Sequence, residues 1–454
     1  MNQPHASVAP NQRKLLVMGM GVTGLSVARW CARNDVAAMF VDSRDAAPGA
    51  NDIAALLPDA DIRCGDLPHV LPDGISEIIL SPGLPLDLPL LDAAARAGIA
   101  VHSDIDLFFS DCKQPVIGIT GSNGKSTVTS MLGEMLRAAG MNAAVGGNLG
   151  AAALDLLTAE ADFYVLELSS FQLERSDELP LHAAVVLNLS NDHLDHHGDM
   201  QSYGAAKARI YQNCRFAVVN RDEPELAVSA ESCTRQRGFT LSQPAPEEWG
   251  VVVKDDGQWI ARGTYTVMPV SALQIAGRHN LANALAAFAL ADTLELPLDG
   301  LVAGAQVFPG LPHRMQRVAS DDGIIWINDS KATNEAAAIA SIESVFDGLS
   351  GRLVLIAGGD AKSAELKDLA LCLEDKDVLV ILLGKDRDLL HERLDSVCKT
   401  LDADTMAEAV SLAASHVTAG DTVLLAPACS SLDMYVNFEQ RGESFASAVA
   451  GVQK

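Results

Sequence analysis

The residues of this sequence that are best suited to chemistry lie in one loop, Gly121-Ser122-Asn123-Gly124-Lys125-Ser126-Thr127. The loop follows an apolar run at 116–120, which we predict to be a strand, and precedes a helical pattern at 127–140. Glycines let backbone N–H groups wrap a phosphate, and a helix N-terminus adds about half a positive charge. The amine of Lys125 can reach the β and γ oxygens, while a hydroxyl of Ser126 or Thr127 can hold Mg²⁺. This order of elements predicts a site for the phosphates of ATP.

The spacing of this loop differs from the common G-x-x-x-x-G-K-S/T pattern, because position 119 is Ile and the first glycine is Gly121. The alternative interpretation is an ordinary Gly-Lys-Ser turn, although strand, loop and helix all favour phosphate binding. A carboxylate that suits the same site is Glu167, which ends an apolar run at 163–166. We predict that Glu167 binds Mg²⁺ beside the loop; the alternative is a solvated turn.

A second glycine loop, Gly19-x-Gly21-x-x-Gly24, follows an apolar run at 14–18, and Asp42 follows the next run at 36–41. The pattern is typical of dinucleotide binding and allows two ligands, NAD or another diphosphate such as a UDP group. An NAD-dependent oxidoreductase would leave the 121–127 loop without a role, so we favour a diphosphate ligand other than NAD, such as a UDP group. The turn Ser81-Pro82-Gly83 ends a later strand, at the edge where open sheets place ligands.

Several other polar segments could bind ligands. The run Asp192-His193-Leu194-Asp195-His196-His197 allows a zinc site or an exposed polar loop, and no second ligand cluster is near it in sequence. Three more loops each follow an apolar run, where an α/β domain places its ligands: Asn328-Asp-Ser-Lys-Ala-Thr-Asn334, Gly358-Gly-Asp-Ala-Lys-Ser363 and Cys429-Ser-Ser-Leu-Asp433.

Composition excludes several classes of protein. The 454 residues carry a net charge of −26, which argues against nucleic acid as a partner, because binding a phosphate backbone needs cations that release its counterions. No apolar run is long enough to cross a membrane, so we expect no membrane insertion. The N-terminal segment is polar, and we expect residues 1–12 to be a frayed tail of a cytoplasmic protein. The eight cysteines show no metal-binding spacing and are expected to be reduced thiols.

Strands that alternate with helices predict an α/β protein with doubly wound parallel sheets. We expect three domains: residues 1–103 and 311–454 as Rossmann-like units, flanking a central ATP-binding domain at 104–310. Short, partly alternating runs at 249–253, 258–262 and 264–268 predict a small extra antiparallel sheet in the central domain. The Pro- and Gly-rich segment at 308–312 marks the second boundary.

Taken together, these motifs resemble the Mur ligases, ATP-dependent enzymes that add amino acids during peptidoglycan synthesis. The resemblance runs from about residue 14 to the C-terminus. It rests on the phosphate loop and on these further motifs: Glu167-Leu-Ser-Ser170, Asn191-Asp-His-Leu-Asp195, Gly277-Arg-His-Asn-Leu-Ala-Asn283, Leu311-Pro-His-Arg314 and Asn328-Asp-Ser-Lys331. The loops at 328–334, 358–363 and 427–433 look like the branch of the family that adds D-glutamate.

The resemblance implies an activity in peptidoglycan precursor synthesis, and hence a role in cell shape and division. ATP would phosphorylate the terminal carboxylate of UDP-N-acetylmuramoyl-L-alanine, and the amine of D-glutamate would displace the phosphate through a tetrahedral intermediate. It also implies two Mg²⁺ ions, a carbamylated Lys207 and domain closure around one cleft, and we expect a monomer. A surface helix lysine is the alternative interpretation of Lys207, and a non-catalytic nucleotide-binding regulator is the alternative for the chain.

The resemblance also assigns residues to each ligand. The catalytic set is Lys125, Glu167, His193 and Lys207, and the metal ligands are Ser126, Glu167, His193 and Lys207 as its carbamate. ATP would contact the 121–127 loop together with Asn280, Asn283, Arg314 and Asp329. The UDP-substrate would contact Gly21, Val22, Thr23, Gly24, Asp42, Ser43, Arg44, Ser81, Pro82, Gly83 and Asn148. D-Glutamate would contact Lys331, Thr333, Lys362, Ser431, Leu432 and Phe438. No role follows for His196 and His197.

Overall fold

The computed structural model describes residues 13–452 except 159, 178, 231–232, 276, 319–322, 347–348, 350 and 363, and it leaves the side chains of residues 195, 227 and 228 undescribed. The predicted tail at 1–12 and Ser363 of the 358–363 loop therefore lie outside the described residues. Within the described part of the chain, the strands form three sheets, of five, nine and six strands.

The first sheet is parallel, with the strand order β3-β2-β1-β4-β5 of a doubly wound unit. Its central strands β1 and β4 are apolar because helices cover both faces. The strands are β1 Lys14–Met18, β2 Ala37–Asp42, β3 Asp61–Cys64, β4 Glu77–Leu80 and β5 Ala100–His102. The helices are α1 Val22–Asn34, α2 Ala50–Leu56 and α3 Pro89–Ala97, and α4 Asp104–Asp111 leads to the second sheet.

The second sheet has the order β14-β13-β12-β11-β10-β9-β6-β8-β7. Its parallel part consists of β6 Val116–Thr120, β7 Ala143–Gly147, β8 Phe163–Glu167, β9 Ala183–Val186, β10 Phe216–Asn220 and β11 Gln236–Phe239. Its helices are α5 Lys125–Ala138, α6 Ala153–Leu156, α7 Ser170–Arg175, α8 Leu194–His197, α9 Met200–Ala208, α10 Pro224–Ser229, α11 Arg278–Asp292 and α12 Leu298–Val307, with 3₁₀ turns at Arg209–Tyr211 and Val270–Ala272.

The predicted antiparallel strands are present as β12 Trp249–Lys254, β13 Gly257–Arg262 and β14 Tyr265–Pro269. They continue the edge of the central sheet, so they do not form a sheet of their own. The link is a parallel contact between Phe239 of β11 and Trp249 of β12. The indole of Trp249 stacks on Phe288 of α11 at 4.8 Å between centroids, and this contact buries the hairpin against the central core.

The third sheet has the order β15-β16-β20-β17-β18-β19, in which only the edge strand β15 is antiparallel. Its strands are β15 Gln316–Val318, β16 Ile325–Asn328, β17 Leu353–Gly358, β18 Val378–Leu383, β19 Lys399–Asp402 and β20 Thr422–Leu425. Its helices are α13 Glu335–Phe346, α14 Lys367–Leu373, α15 Arg387–Leu394, α16 Met406–His416 and α17 Phe438–Val452. The α/β class with three units is thus confirmed, while the boundaries at 103 and 310 stay predictions.

The first two units share buried surface. Arg29 of α1 forms an ion pair with Asp155 of α6 at 2.8 Å, and Arg33 donates to the carbonyl of Leu154 at 3.0 Å. Apolar side chains of both units belong to one continuous core cluster. In the described part of the chain, no helix has the length and apolar character that a membrane crossing needs.

Helix α5 carries the phosphate loop at its N-terminus, and two helices hold it in place. The Ala-rich α11 is buried along most of its length, while α12 approaches α5 through two glycines. A Cβ on Gly300 would lie 2.6 Å from the Cα of Ala139, and one on Gly304 would lie 2.5 Å from the Cα of Met135. The two helix backbones are therefore in direct contact, which sets the position of the loop that α5 carries.

This contact gives a stability prediction. Helix propensity alone would make Gly304→Ala stabilising by up to about 1 kcal/mol. We expect the opposite, a loss of about 1–3 kcal/mol, because the new methyl group would overlap the α5 backbone. The control is Gly451→Ala in α17, where the added Cβ would meet no described atom within 4 Å beyond the adjacent residues and the helix's own backbone. The urea concentration at the unfolding midpoint is measured for both variants. The midpoint of Gly451→Ala should equal or exceed that of the wild type, and a midpoint for Gly304→Ala equal to that of Gly451→Ala would contradict the packing argument.

Candidate functional site

The phosphate loop lies between β6 and α5, at the carboxyl end of the sheet. Its glycines adopt backbone angles that other residues avoid, with φ +150° at Gly121 and +82° at Gly124. A Cβ at Gly124 would lie 2.3 Å from the amide oxygen of Asn283, so the loop needs glycine there for space as well. The positive end of the α5 dipole faces the loop, as anion binding requires.

A neighbouring loop fixes the shape of the phosphate loop. The amide N–H of Ser122 donates to the carbonyl of Asn188 at 3.0 Å, and that of Asn123 donates to the Asn188 side chain at 2.8 Å. The hydroxyl of Ser122 also lies 3.2 Å from the hydroxyl of Tyr203 in α9. These bonds hold the loop open, so little ordering remains to be done when an anion binds.

Lys125 is folded back over its own loop. Its ammonium donates to the carbonyls of Gly121 and Ser122 at 2.8 and 2.9 Å. Burial lowers the pKa of Lys125, and the nearby Arg314 lowers it further, while Glu167 acts in the opposite direction. A phosphate that replaced the two carbonyls would place a full negative charge in direct contact with this ammonium.

Glu167 ends β8 and is only 3% exposed. One carboxylate oxygen accepts a hydrogen bond from the side-chain amide of Asn148 at 2.9 Å. The other oxygen is buried and has no hydrogen-bond partner among the described residues. A buried carboxylate oxygen without a donor fits a cation, so this position suits Mg²⁺. Asn148, which was predicted to contact the UDP-substrate, here orients Glu167.

Lys207 lies in α9 and is 2% exposed. Its amine donates to the carbonyl of Gly121 at 2.9 Å and lies 4.5 Å above the ring of Tyr203. Burial, assisted by the charge of Lys125, lowers the pKa of Lys207 to about 6. At neutral pH the amine is therefore mostly unprotonated, which makes it a nucleophile. The alternative interpretation as a surface lysine is wrong.

His193 precedes the short helix α8 in the left-handed conformation, with φ +53°. Its ring packs against Phe171 at 5.1 Å between centroids. Burial is the main cause that lowers the pKa of His193; the carboxylate of Asp192, 3.7 Å away, acts in the opposite direction, and nearby lysines add to the lowering. The imidazole is therefore neutral near pH 7, as metal binding requires, and it lies within electrostatic reach of the predicted lysines.

The third unit reaches the phosphate loop through Arg314. This guanidinium donates to the hydroxyl of Ser126 at 2.7 Å, which joins residues 188 positions apart. Burial lowers the pKa of Arg314, whereas Glu167 and Asp329 raise it. The carboxylate of Asp329 accepts from Ser341 and from the amide of Met315, and burial raises its pKa to about 6.

The remaining residues predicted for ATP are also buried here. Asn283 donates its side-chain amide to Asn280 at 3.2 Å, and both lie in the first turns of α11. Thr127 is buried in the first turn of α5, next to Ser126. Since Gly124 contacts Asn283, the N-termini of α5 and α11 meet beside the loop.

The loops predicted for D-glutamate gather at one edge of the third sheet. The ammonium of Lys331 lies 4.1 Å from the ring centre of Phe438, and burial lowers its pKa to about 8. Thr333 follows, its N–H bonded to the carbonyl of Lys331 at 2.7 Å. The amide N–H of Lys362 bonds to Asp360 at 3.0 Å, and the ammonium of Lys362 has no hydrogen-bond or ion-pair partner among the described residues. Ser431 is buried, whereas the side chain of Leu432 is exposed.

One residue that the sequence analysis missed, Arg441, holds these loops together. It lies in α17 and is only 2% exposed. Its guanidinium donates to the hydroxyl and the carbonyl of Ser330 at 3.0 and 2.9 Å, and to the carbonyl of Cys429 at 3.1 Å. It also donates to the carbonyl of Gly358 at 3.4 Å. The neighbours of Arg441 in α17 include Glu439, Gln440 and Glu443, so the local sequence looks like a polar helix end and gives no signal that this arginine is buried.

The N-terminal loop is also formed as predicted. Gly24 must be glycine, because a Cβ there would lie 2.1 Å from the carbonyl oxygen of Gly19. Asp42 accepts from the amide of Met20 at 2.7 Å and from the Arg44 side chain at 2.8 and 2.7 Å. Bonding to Arg44 holds the pKa of Asp42 well below its usual range.

The other residues predicted for the UDP-substrate surround this loop. The hydroxyl of Ser81 donates to the carbonyl of Gly19 at 3.3 Å. The turn continues through Pro82 and Gly83, while Gly21, Val22 and Thr23 open α1, and Ser43 lies between Asp42 and Arg44. Among the described residues, the polar contacts of Asp42, Arg44 and Ser81 stay within the N-terminal unit. The structure therefore shows two groups of predicted residues: this loop, and the edge shared by the second and third sheets.

Comparison with known protein families divides the chain in the same way. Residues 13–103 match the MurD-like N-terminal domain of Mur ligases, 119–291 match the Mur ligase middle domain, and 313–429 match the glutamate ligase domain of Mur ligases. Structures of two Mur ligases share the fold. The UDP-N-acetylmuramate-alanine ligase MurC of Thermotoga maritima superposes with a TM-score of 0.59 at 17% identity, covering 97% of this chain and 99% of that one. MurF of Acinetobacter baumannii superposes with a TM-score of 0.60 at 19% identity, covering 91% of this chain and 90% of that one.

Several curated relatives are similar over almost the whole chain, and each is named UDP-N-acetylmuramoylalanine–D-glutamate ligase. The protein of Hahella chejuensis is 43% identical over 443 residues, which cover 97% of this chain and 98% of the relative. That of Chromohalobacter salexigens is 44% identical over 435 residues, 95% of each chain. That of Pseudomonas aeruginosa is 42% identical over 434 residues, 96% of this chain and 97% of the relative. On this similarity, and on the three units and motifs described above, the chain belongs to the Mur ligase family.

Proposed function

We propose that this chain is an ATP-dependent ligase that joins D-glutamate to UDP-N-acetylmuramoyl-L-alanine. The observation that carries the proposal is the hydrogen bond from Arg314 to Ser126, because it brings the amino-acid loops of the third unit against the phosphate loop of the second. Relatives more than 40% identical over almost the full chain bear the corresponding name, which supports the choice of substrates.

The reaction must bring several anions together. The γ-phosphoryl group of ATP passes to the terminal carboxylate of the UDP-substrate, and ADP leaves with the electron pair of the broken P–O bond. The amine of D-glutamate then attacks the acyl carbon, and the tetrahedral intermediate expels phosphate and loses a proton. The terminal carboxylate of the UDP-substrate and the γ-phosphate of ATP are both negatively charged, so they repel each other. Lys125, Arg314 and Lys331 reduce this repulsion because they surround the meeting point with positive charge.

The magnesium site is proposed at Glu167 and Ser126. The unpartnered oxygen of Glu167 supplies a charged ligand, and the hydroxyl of Ser126 supplies a neutral one. Bound Mg²⁺ would neutralise charge on the phosphate oxygens. For the second ion, His193 offers a neutral imidazole, and Lys207 would offer a carboxylate once it is carbamylated.

Carbamylation of Lys207 is supported by its environment. A neutral amine attacks CO₂, forms an N–C bond and releases one proton, so the product carries a negative charge. Because burial lowers the pKa of Lys207 to about 6, the reactive form prevails at neutral pH. The carbamate would also place an anion beside the ammonium of Lys125, which the neutral amine of Lys207 cannot do.

The amino-acid site is proposed at Lys331, Thr333, Lys362, Ser431, Leu432 and Phe438. The two carboxylates of D-glutamate need cations and hydroxyls, and the two lysines and two hydroxyls of this set supply them. Phe438 fixes the ammonium of Lys331 by a cation–π contact. Arg441 would act on this site indirectly, since it holds the loops that carry Lys331, Lys362 and Ser431.

The N-terminal loop is proposed to hold the UDP end of the substrate. Both oxygens of the Asp42 carboxylate already accept two hydrogen bonds each, from Met20 and Arg44. An NAD-binding loop uses its acidic residue to accept from the ribose hydroxyls. Asp42 has no free acceptor for them, so the geometry favours a UDP group that contacts Arg44 and the loop amides. These nucleotide substrates support a cytoplasmic site of action, and we propose that the enzyme acts as a monomer.

The substrate assignment is tested by phosphate release from ATP in the presence of UDP-N-acetylmuramoyl-L-alanine and a panel of amino acids. We expect release with D-glutamate and no release above background with L-glutamate, L-alanine, L-lysine or meso-diaminopimelate. Lys125→Ala is the inactive control and should lose at least about 10²-fold in kcat with an unchanged melting temperature. Release that is faster with another amino acid than with D-glutamate would move the chain to another branch of the family.

Lys207→Ala should lower kcat by about 10²–10³-fold, because the second ion loses a charged ligand, and added acetate or formate should restore part of it. The pH dependence follows from the pKa of about 6: below that pH the amine is protonated and carbamate formation fails. Incorporation of ¹³CO₂, followed by NMR, should therefore fall as pH drops through 6. Lys254→Ala on the exposed hairpin is the control, and full activity of Lys207→Ala would show that no carbamate is needed.

Lys362→Ala should raise the KM for D-glutamate by about 10- to 100-fold with a smaller change in kcat, since one charge-assisted hydrogen bond is worth about 1.5–3 kcal/mol. The matched control is Lys367→Ala, an exposed lysine that pairs with Glu365 at the start of α14. Steady-state kinetics at saturating ATP and UDP-substrate provide both constants. An unchanged KM would remove Lys362 from the amino-acid site.

A further inference from the structure

We propose that Glu174, His196 and His197 form a second kind of metal site, one that binds a divalent transition metal of the Zn²⁺ class. Glu174 lies in α7, and the two histidines end α8. Each residue offers one ligand atom, and these three atoms lie within 4.8 Å of one another. The magnesium positions proposed above use none of these side chains.

The spacing of the ligand atoms fits such an ion. A tetrahedral site with metal–ligand bonds of about 2.0–2.1 Å places its ligand atoms about 3.3 Å apart. Here Nε2 of His196 lies 2.8 Å from the carboxylate of Glu174, and no pair exceeds 4.8 Å. Shifts of about an ångström or less in side chains that are already adjacent would therefore complete the three-ligand set. Water would fill the remaining position.

The surrounding rings hold the two imidazoles in place before any metal binds. Phe171 lies 4.6 Å from the ring of His196 and 5.6 Å from that of His197, measured between centroids. The ring of His197 also lies 5.2 Å from Tyr203, and its Nε2 is 3.0 Å from the hydroxyl of Ser170. Because packing already restricts both rings, binding loses little side-chain entropy.

The ligand types select the metal. Two imidazoles and one carboxylate suit Zn²⁺, Co²⁺ and Ni²⁺, whereas Mg²⁺ prefers oxygen ligands. The guanidinium of Arg175 lies 3.2 Å from the same Glu174 oxygen and offsets its charge. This partial neutralisation of Glu174 weakens the binding of Mg²⁺, which depends on charged oxygen ligands, more than the binding of a metal held by imidazole nitrogens. The side chains of His196 and Glu174 are 27% and 28% exposed, so an ion can enter from solvent.

The test uses the purified full-length chain after treatment with a chelator. Zn²⁺ binding is measured by competition with a chromophoric chelator in excess Mg²⁺, and Co²⁺ provides the visible absorption spectrum of the site. We expect the wild type to bind one Zn²⁺ that Mg²⁺ does not displace. His196→Ala and His197→Ala should each weaken this binding by at least about tenfold, because each removes a ligand. His416→Ala, a histidine in α16, should bind as the wild type does.

Two further variants separate loss of a ligand from other effects. His196→Gln should weaken Zn²⁺ binding, although its side-chain amide can still bond to Glu174. A melting curve like that of the wild type would show that the weaker binding comes from loss of a ligand and not from a folding defect. His193→Ala should retain the ion. The proposal is overturned if His196→Ala and His197→Ala bind Zn²⁺ as tightly as the wild type, if Mg²⁺ displaces the ion, or if His193→Ala alone loses it.

Discussion

Four basic side chains lie together where the second and third sheets meet: Lys207, which is buried, and Lys125, Arg314 and Lys331, which are half-buried. Burial lowers the pKa of all four, and the charges of Lys125 and Arg314 add to this effect on their neighbours. Glu167 and Asp329 are the buried carboxylates near them, and burial raises the pKa of Asp329, so positive charge is in excess. The site is thus positive although the whole chain has a net charge of −26. The free-energy cost of keeping these charges away from water falls when a polyanion binds.

The fold brings these charges together through contacts between its helices, strands and loops. Parallel strands place their carboxyl ends on one edge of their sheet, so β6 and β8 of the second sheet and β16 of the third each end in a polar loop at such an edge. Direct backbone contact between α12 and α5 sets the phosphate loop, and Arg441 joins three loops of the third unit through their carbonyls. Arg314 then connects the two edges. Each of these contacts restricts a backbone that carries functional side chains, and this restriction is what preorganisation requires.

Local sequence patterns predict features that lie within one segment of the chain and miss those that depend on packing. The phosphate loop follows an apolar strand and Glu167 ends another, so local pattern alone predicts both. Arg441 acts through contacts with residues more than 80 positions away in two of its three loops, and no local pattern encodes these. Strand β3 was not predicted because it is an exposed edge strand that lacks an apolar run. Strands β5 and β15 have only three residues each, too few to show an alternation of apolar and polar residues. The antiparallel strands were found, but their attachment to the central sheet depends on one contact, between Phe239 and Trp249.

The two metal sites proposed here differ in ligand type because of the backbone geometry at one histidine. His193, His196 and His197 have the i, i+3, i+4 spacing of a single helix face, and all three rings contact Phe171. Because His193 is left-handed and precedes α8, its ring remains among the phosphate-site lysines, whereas His196 turns to Glu174. Oxygen ligands therefore dominate on the side of Glu167 and imidazoles dominate on the side of Glu174. Two neighbouring sites of such different composition can distinguish a hard cation from a nitrogen-preferring one by ligand chemistry alone.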